Sequence, residues 1–304
     1  MRYSYIIATS GLLAAVSGHG LVTSIQGANG VTMPGLSVAD GTPRDCSSNG
    51  CGSQADTSII RDKELGTSKA SALGRTQGNG PVDPTVMIAN FMNASGAPTN
   101  KGAASSAGVE DDLSGLQNAG KQNKRGLGDL LGGLTGGGAN ANKGTKSEQP
   151  SETSVAASAG QGATEGLPTC SDDGSITMTF RQINQDGAGP LTADVDGTSG
   201  GTDVDAFKSA EVTQDVPGLP IGGLSLATNT DFPVTVQMPA GMTCDASVGG
   251  ADNVCIVRVR NGAAAGPFGG SAAFTQSPAA RKRAIAYRLK KRAEAEKYQN
   301  RRLR

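Results

Sequence analysis

The single histidine of this 304-residue chain, His19, follows directly on Val16-Ser17-Gly18, where small residues invite cleavage of an N-terminal leader. A chain that begins at a histidine carries an α-amine and an imidazole that close one chelate ring on a metal, and imidazole suits copper. Asp186, in the run QDGAGP, is the oxygen donor put forward beside it; Asp45 and Asp62 would serve only if the fold brought them near. Copper that cycles between oxidation states is usually held by three nitrogens, and His19 supplies two. A carboxylate is a harder donor that holds Cu(I) poorly, so these residues point to copper binding without turnover.

Other chemistries find less to use. A Ser-His-Asp or Cys-His arrangement would have to take His19 as its base, at the very edge of the mature chain. Nothing singles out a carboxylate pair for glycoside hydrolysis, and there is no GxxxxGK[ST] phosphate loop and no zinc-type cysteine spacing. No residue is assigned a catalytic role.

The leader itself is legible. Arg2 gives a positive start, and Tyr5 to Val16 is mostly apolar, uncharged and too short to span a bilayer. Residues 1–18 therefore read as a secretory signal peptide, with cleavage near Ala14 or Ala15 as the alternative that would leave His19 an ordinary surface residue. No transmembrane segment follows, so the product is expected outside the cell, where cysteines oxidise. Five cysteines allow at most two internal disulfides. The local pairings Cys46–Cys51 and Cys244–Cys255 each close a short loop rich in Gly, Ser, Asn or Asp, although spacing alone does not decide connectivity. Cys170 is then left over, as a buried and inert thiol or as a partner for another chain.

The elements that must carry these residues lie in two blocks, 19–93 and 167–277, separated by a Gly/Ala/Ser-rich insert over 94–166. GLGDLLGGLTGGGANANKG, from Gly126 to Gly144, has linker chemistry: high backbone entropy and few large side chains to repay ordering. Lys124-Arg125 is a dibasic pair within it, open to a processing protease, and Asn93-Ala94-Ser95 is a glycosylation sequon at its edge. In the second block Ile176, Met178 and Phe180 alternate with Thr177, Thr179 and Arg181. Val234, Val236 and Met238 repeat the period, as do Cys255, Val257 and Val259. Gly-, Pro- and Asp-rich connections separate these runs, and helical periodicity is scarce. The pattern predicts an all-β, immunoglobulin-like antiparallel β-sandwich. Leu21 to Ile25 reads as an edge strand, and Ser58 to Leu65 as a short helix or an extended segment.

Charge is unevenly spread. The segment 278–304 holds eleven Lys and Arg against two Glu, leaving sixteen against twenty-five in the rest of a formally neutral chain. Strong helix formers place Ile285, Leu289 and Arg292 on one side of this basic tail. Such a segment can contact anionic wall polymer, membrane surface or nucleic acid without sequence specificity. Lys282-Arg283 is a second dibasic processing candidate.

Several long runs resemble the fungal appressorial virulence-factor family, the Egh-type or Gas/Mas-type secreted cell-surface proteins. They are HGLV from His19, TSIIRD from Thr57, QINQDGAGP from Gln182, VTVQMPAGMTC from Val234 and CIVRVRNGAAAGPFGG from Cys255. The resemblance implies a role in host penetration, acting on a cell-wall polymer or host surface, with no assigned reaction. The HG start, β-rich core and DGAGP segment are also distantly similar to copper-dependent lytic polysaccharide monooxygenases, which implies a sandwich presenting the N-terminal histidine on one face. Some family members carry further cysteines near the positions of Leu73, Ala193, Val259 and Ser271, so no family disulfide scheme carries over.

Overall fold

The computed structural model describes residues 19–100, 143–219, 223–263 and 265–302. The expected leader over residues 1–18, the Lys124-Arg125 pair and most of the glycine-rich run lie outside the described residues. Thirteen strands form one antiparallel sheet: β1 (Gly20–Gln26), β2 (Thr32–Pro34), β3 (Ser58–Ile59), β4 (Arg75–Thr76), β5 (Gly80–Pro81), β6 (Thr145–Lys146), β7 (Ser175–Gln182), β8 (Thr192–Asp196), β9 (Lys208–Gln214), β10 (Thr230–Gln237), β11 (Ala246–Val248), β12 (Ala251–Arg260) and β13 (Phe268–Thr275). The order across the sheet is β2-β1-β7-β10-β9-β8-β12-β13-β3-β4-β5, with β6 added beside β10 and β11 beside β12.

This all-β sheet curls into a half-barrel whose limbs face each other as in a sandwich. The limbs meet where β1 crosses β13. A Cβ on Gly270 would stand 2.6 Å from the Val22 backbone nitrogen, so only glycine permits this approach. Leu36 N–H donates to the Ser271 carbonyl at 2.8 Å across the same seam. Leu21, Ile25, Met33, Met178, Phe180, Val234, Val236, Val257 and Phe274 fill the interior.

The alternations at β7 and β10 do what their period dictates: Ile176, Met178 and Phe180 are buried while Thr177 is exposed, and Val234 and Val236 are buried around Thr235. The strand β1 lies one place in from the edge, because β2 pairs beyond it. Ser58–Ile59 is extended, and turns follow it as far as Leu65.

Helices are few. Helix α1 (Pro84–Asn93) starts at Asp83, whose carboxylate accepts from Thr85 N–H at 2.8 Å, with Pro84 at its first position. It buries Met87, Ile88 and Phe91 and ends at Ala94, which adopts a φ of 52°. Two four-residue helices, α2 (Ser154–Ala157) and α3 (Gly162–Glu165), pack beside it, and Asn90 Nδ2 donates to the Val155 carbonyl at 3.1 Å. The chain on either side of 101–142 is thereby clamped. Gly41 N–H donates to the Glu152 carbonyl at 2.9 Å and Glu152 N–H to the Thr42 carbonyl at 2.8 Å.

The basic tail forms one 25-residue helix, α4 (Pro278–Arg302). No helix among the described residues is long and apolar enough to cross a membrane.

Candidate functional site

His19 stands at the head of β1, and its carbonyl accepts from Ile183 N–H at 2.9 Å, just beyond the end of β7. The turn that follows wraps over it: a Cβ on Gly187 would lie 1.9 Å from the His19 carbonyl oxygen. The imidazole is tilted against Phe268 with ring centroids 4.4 Å apart, and the residue is 1% exposed. His19 is thus a packed residue held between the β7–β8 connection and β13.

Asn184 is the side chain that meets both the backbone nitrogen and the ring Nδ1 of His19. The His19 backbone N–H donates to Asn184 Oδ1 at 2.5 Å, and Asn184 Nδ2 lies 3.4 Å from His19 Nδ1. Asn184 is itself fixed, since its carbonyl accepts from Gln182 Nε2 at 3.1 Å and from Gly187 N–H at 3.0 Å.

Asp186 is buried two residues further on, so the structure brings its segment to His19. Its carbonyl accepts from Asn261 Nδ2 at 3.3 Å, and Asn261 Oδ1 accepts from Phe268 N–H at 3.0 Å. One asparagine therefore ties the Asp186 turn to the residue under the imidazole. Asp62 is engaged elsewhere, with Arg260 at 2.5 Å, and Asp45 is exposed. No group of three or more His, Cys, Asp or Glu side chains among the described residues is placed to hold a metal. Asn184 escaped notice in the sequence because a neutral amide ranks below a carboxylate as a donor. Its signal was its place two residues before Asp186 in QINQDGAGP.

The cysteines pair as Cys46–Cys51 and Cys244–Cys255, and Cys170 is a free, buried thiol. Burial pushes that thiol's pKa up, which suppresses the reactive thiolate. Asn93 is exposed at the last turn of α1.

A second surface is set by α4. Ser277 caps it, accepting from Ala280 N–H at 3.1 Å and donating to Asp172 at 2.7 Å. Only Ala280 and Ala284 are buried. Arg281 donates to the Cys244 carbonyl at 2.7 Å and pairs with Asp245 at 3.0 Å, and Arg288 reaches Thr243 at 3.2 Å. From Leu289 to Arg302 every residue is exposed, so about 21 Å of helix stands clear of the sheet. The helix docks through small alanines, while Ile285 and Leu289 face outward at 41% and 60% exposure. Lys282 and Arg283 are exposed in its first turns.

The fold, the fixed His19 segment and the sequence together define a class: the chain belongs to the Egh16-like virulence factor family, whose model matches residues 17–269. Among particular relatives, it is 58% identical over 293 residues to the appressoria-specific virulence factor GAS2 of Pyricularia oryzae, covering 96% of this chain and 95% of that one. It is 39% identical over 129 residues to the appressoria-specific virulence factor GAS1 of the same organism, covering 41% of this chain and 50% of the relative. No solved structure matches the chain.

Proposed function

We propose that this chain is a secreted fungal protein of the cell surface or wall that acts by contact with host or substrate surfaces during penetration. The observation that carries this reading is α4. Ten Lys and Arg against two Glu stand on a helix anchored by its first three turns and exposed beyond Arg288. Such a charge density attracts any polyanion over several ångströms, without sequence recognition. Similarity to virulence factors specific to appressoria supports the setting, and two disulfides fit an oxidising compartment. In the same setting the exposed Asn93 is the glycan acceptor and Lys124-Arg125 a processing site, whereas cleavage at Lys282-Arg283 would remove the basic part of α4 and with it the surface contact.

Mass spectrometry of culture fluid and wall extracts tests the secreted part of this reading. The expected finding is a chain beginning at His19. Recovery only inside cells, with residues 1–18 attached, would overturn it.

A second reading is copper binding at His19. It requires cleavage of the peptide bond before His19, which would free the nitrogen whose N–H now donates to Asn184 Oδ1. The chelate would take its two nitrogens from His19, with no group of three or more His, Cys, Asp or Glu among the described residues to complete it; a copper titration of the chain beginning at His19 against one with an extra N-terminal glycine tests it, and equal affinity overturns it. Bound copper would supply a Lewis-acid centre there, and the chain's part is to hold the imidazole against Phe268 and the α-nitrogen over Asn184.

A further inference from the structure

We propose that the groove between the base of α4 and the turn from Pro239 to Met242 is a subsite for a neutral pyranose unit of a wall polysaccharide. This rests on the reading of wall contact above and names what the wall offers besides its charge.

The groove encloses about 290 Å³. Met238, Met242, Ala280 and Ala284 give it an apolar floor. Tyr287 lines it at 42% exposure, Arg283 stands one helical turn before it, and Asp173, just ahead of β7, completes the lining. Both walls are held by hydrogen bonds. Gln237 Nε2 donates to the Asp173 carbonyl at 2.8 Å, and Met238 N–H donates to the Gly174 carbonyl at 3.0 Å. Gln276 Nε2 donates to the Met242 carbonyl at 3.0 Å. Gly241 lies so close to Tyr287 that a Cβ there would stand 2.9 Å from the ring. A ligand therefore meets a preformed site and spends little of its interaction on ordering it.

The lining selects the ligand. The ring of Tyr287 and the methionine side chains match the C–H face of a pyranose, and a few polar groups at the rim orient its hydroxyls. Arg283 brings donors only and the Asp173 carboxylate acceptors only. Bonds from Ser171 and Ser175 keep Asp173 ionised, and a carboxylate with about four acceptor sites retains room for a sugar hydroxyl. Because the two charges oppose each other, a free anion meets Asp173 and a free cation meets Arg283. An apolar peptide would leave both without a partner. One groove of this size holds a sugar weakly, with a Kd on the order of 1 mM. The charge of α4 then sets retention on the wall, and the groove sets which polymer is gripped.

The test is nuclear magnetic resonance of the full chain in about 0.5 M salt, where contact between α4 and anions is screened. The chain is titrated separately with laminarihexaose, cellohexaose and chitohexaose. At least one should shift the backbone amide signals of Gly174, Gly241 and Tyr287, and the one that does so names the polymer. Tyr287→Ala and Arg283→Ala, at exposed positions where alanine preserves the helix, should each weaken that binding about fivefold or more. A variant with the exposed basic residues beyond Leu289 changed to glutamine should bind the sugar like the parent, so that sugar binding and salt-dependent retention fail separately. No shift with any of the three sugars, or shifts that both alanine variants leave unchanged, would overturn the groove while leaving the charge contact of α4 standing. Failure of the full chain to be retained on wall material would overturn the reading on which the groove's role rests.

Discussion

Arg44 and Asp56 form an ion pair with neither side chain reached by solvent. Arg44 Nη1 donates to Oδ1 at 2.9 Å and Nη2 to Oδ2 at 2.5 Å. Arg44 Nε donates in addition to Glu152 at 3.0 Å, from the far side of the 101–142 segment. Burial opposes the charge on Arg44, but the two carboxylates outweigh it and raise the arginine pKa. The Arg44–Glu152 contact ties the chain before residues 101–142 to the chain after them.

Arg44→Met should destabilise the protein by about 3–5 kcal/mol, because it strands two buried carboxylates. Urea unfolding at pH 7 measures this. A loss below about 1 kcal/mol would show that Asp56 and Glu152 find other partners.

Acid should act on the same clamp. Burial pushes the Glu152 pKa up, but Arg44 and Ser154 overcome it and the folded value lies below the ordinary 4.5. Asp196 is likewise lowered from 3.8, burial being outweighed by hydrogen bonds from Ser199, Thr198 and Gly201, and hydrogen bonds from Ser171 and Ser175 hold Asp173 at about 2. A depressed folded pKa contributes stability that is complete above the unfolded value and lost as pH falls through the folded one. Asp215, raised by burial, acts in the opposite sense. The urea midpoint should be flat from pH 7 to about 5 and fall below about 4.5. Glu152→Gln should flatten that fall.

Removing Cys244–Cys255 by double serine substitution should cost about 3 kcal/mol, since the bridge closes a loop eleven residues apart in sequence and both sulfurs are buried. Cys46–Cys51, with a separation of five and less burial, should cost less. Thermal unfolding of the two variants gives the comparison.

Cys170 should resist alkylation in the native protein and react fully only when it is unfolded, because it is 2% exposed and its thiolate is disfavoured. Rapid native labelling with a water-soluble maleimide would contradict this.

Much of the β-architecture was legible because one-sided burial leaves a period of two, as at Ile176, Met178 and Phe180. The strand β12 shows where that signal weakens. Ile256 and Arg258 are buried as well as Val257 and Val259, since Arg258 donates to the Ala72 carbonyl at 2.6 Å and lies over the Phe207 ring. A strand covered on both faces loses its alternation. Helix α1 was missed because its cap, Asp83-Pro84, also reads as a turn, and its apolar residues are too few to make a strong helical stripe. The tail was legible as a basic helix, but its docking face was not: Ala280 and Ala284 touch the core because small side chains admit close approach.

At the candidate site, His19 was singled out by its rarity and by the small residues Val16-Ser17-Gly18 before it. Asn184 was not, because its contact with His19 joins positions 165 residues apart, which only the β1–β7 pairing brings together.

The most direct test of surface contact is retention of the mature protein on isolated, insoluble fungal and plant wall material, followed by elution with rising salt. The full chain should be retained at low ionic strength and released by about 0.5 M salt, where screening is strong. A variant with Lys290, Lys291, Arg292, Lys297, Arg301 and Arg302 changed to glutamine should pass through with its fold intact, because all six lie on the exposed part of α4. Equal retention of both proteins, or no retention of either, would contradict the account.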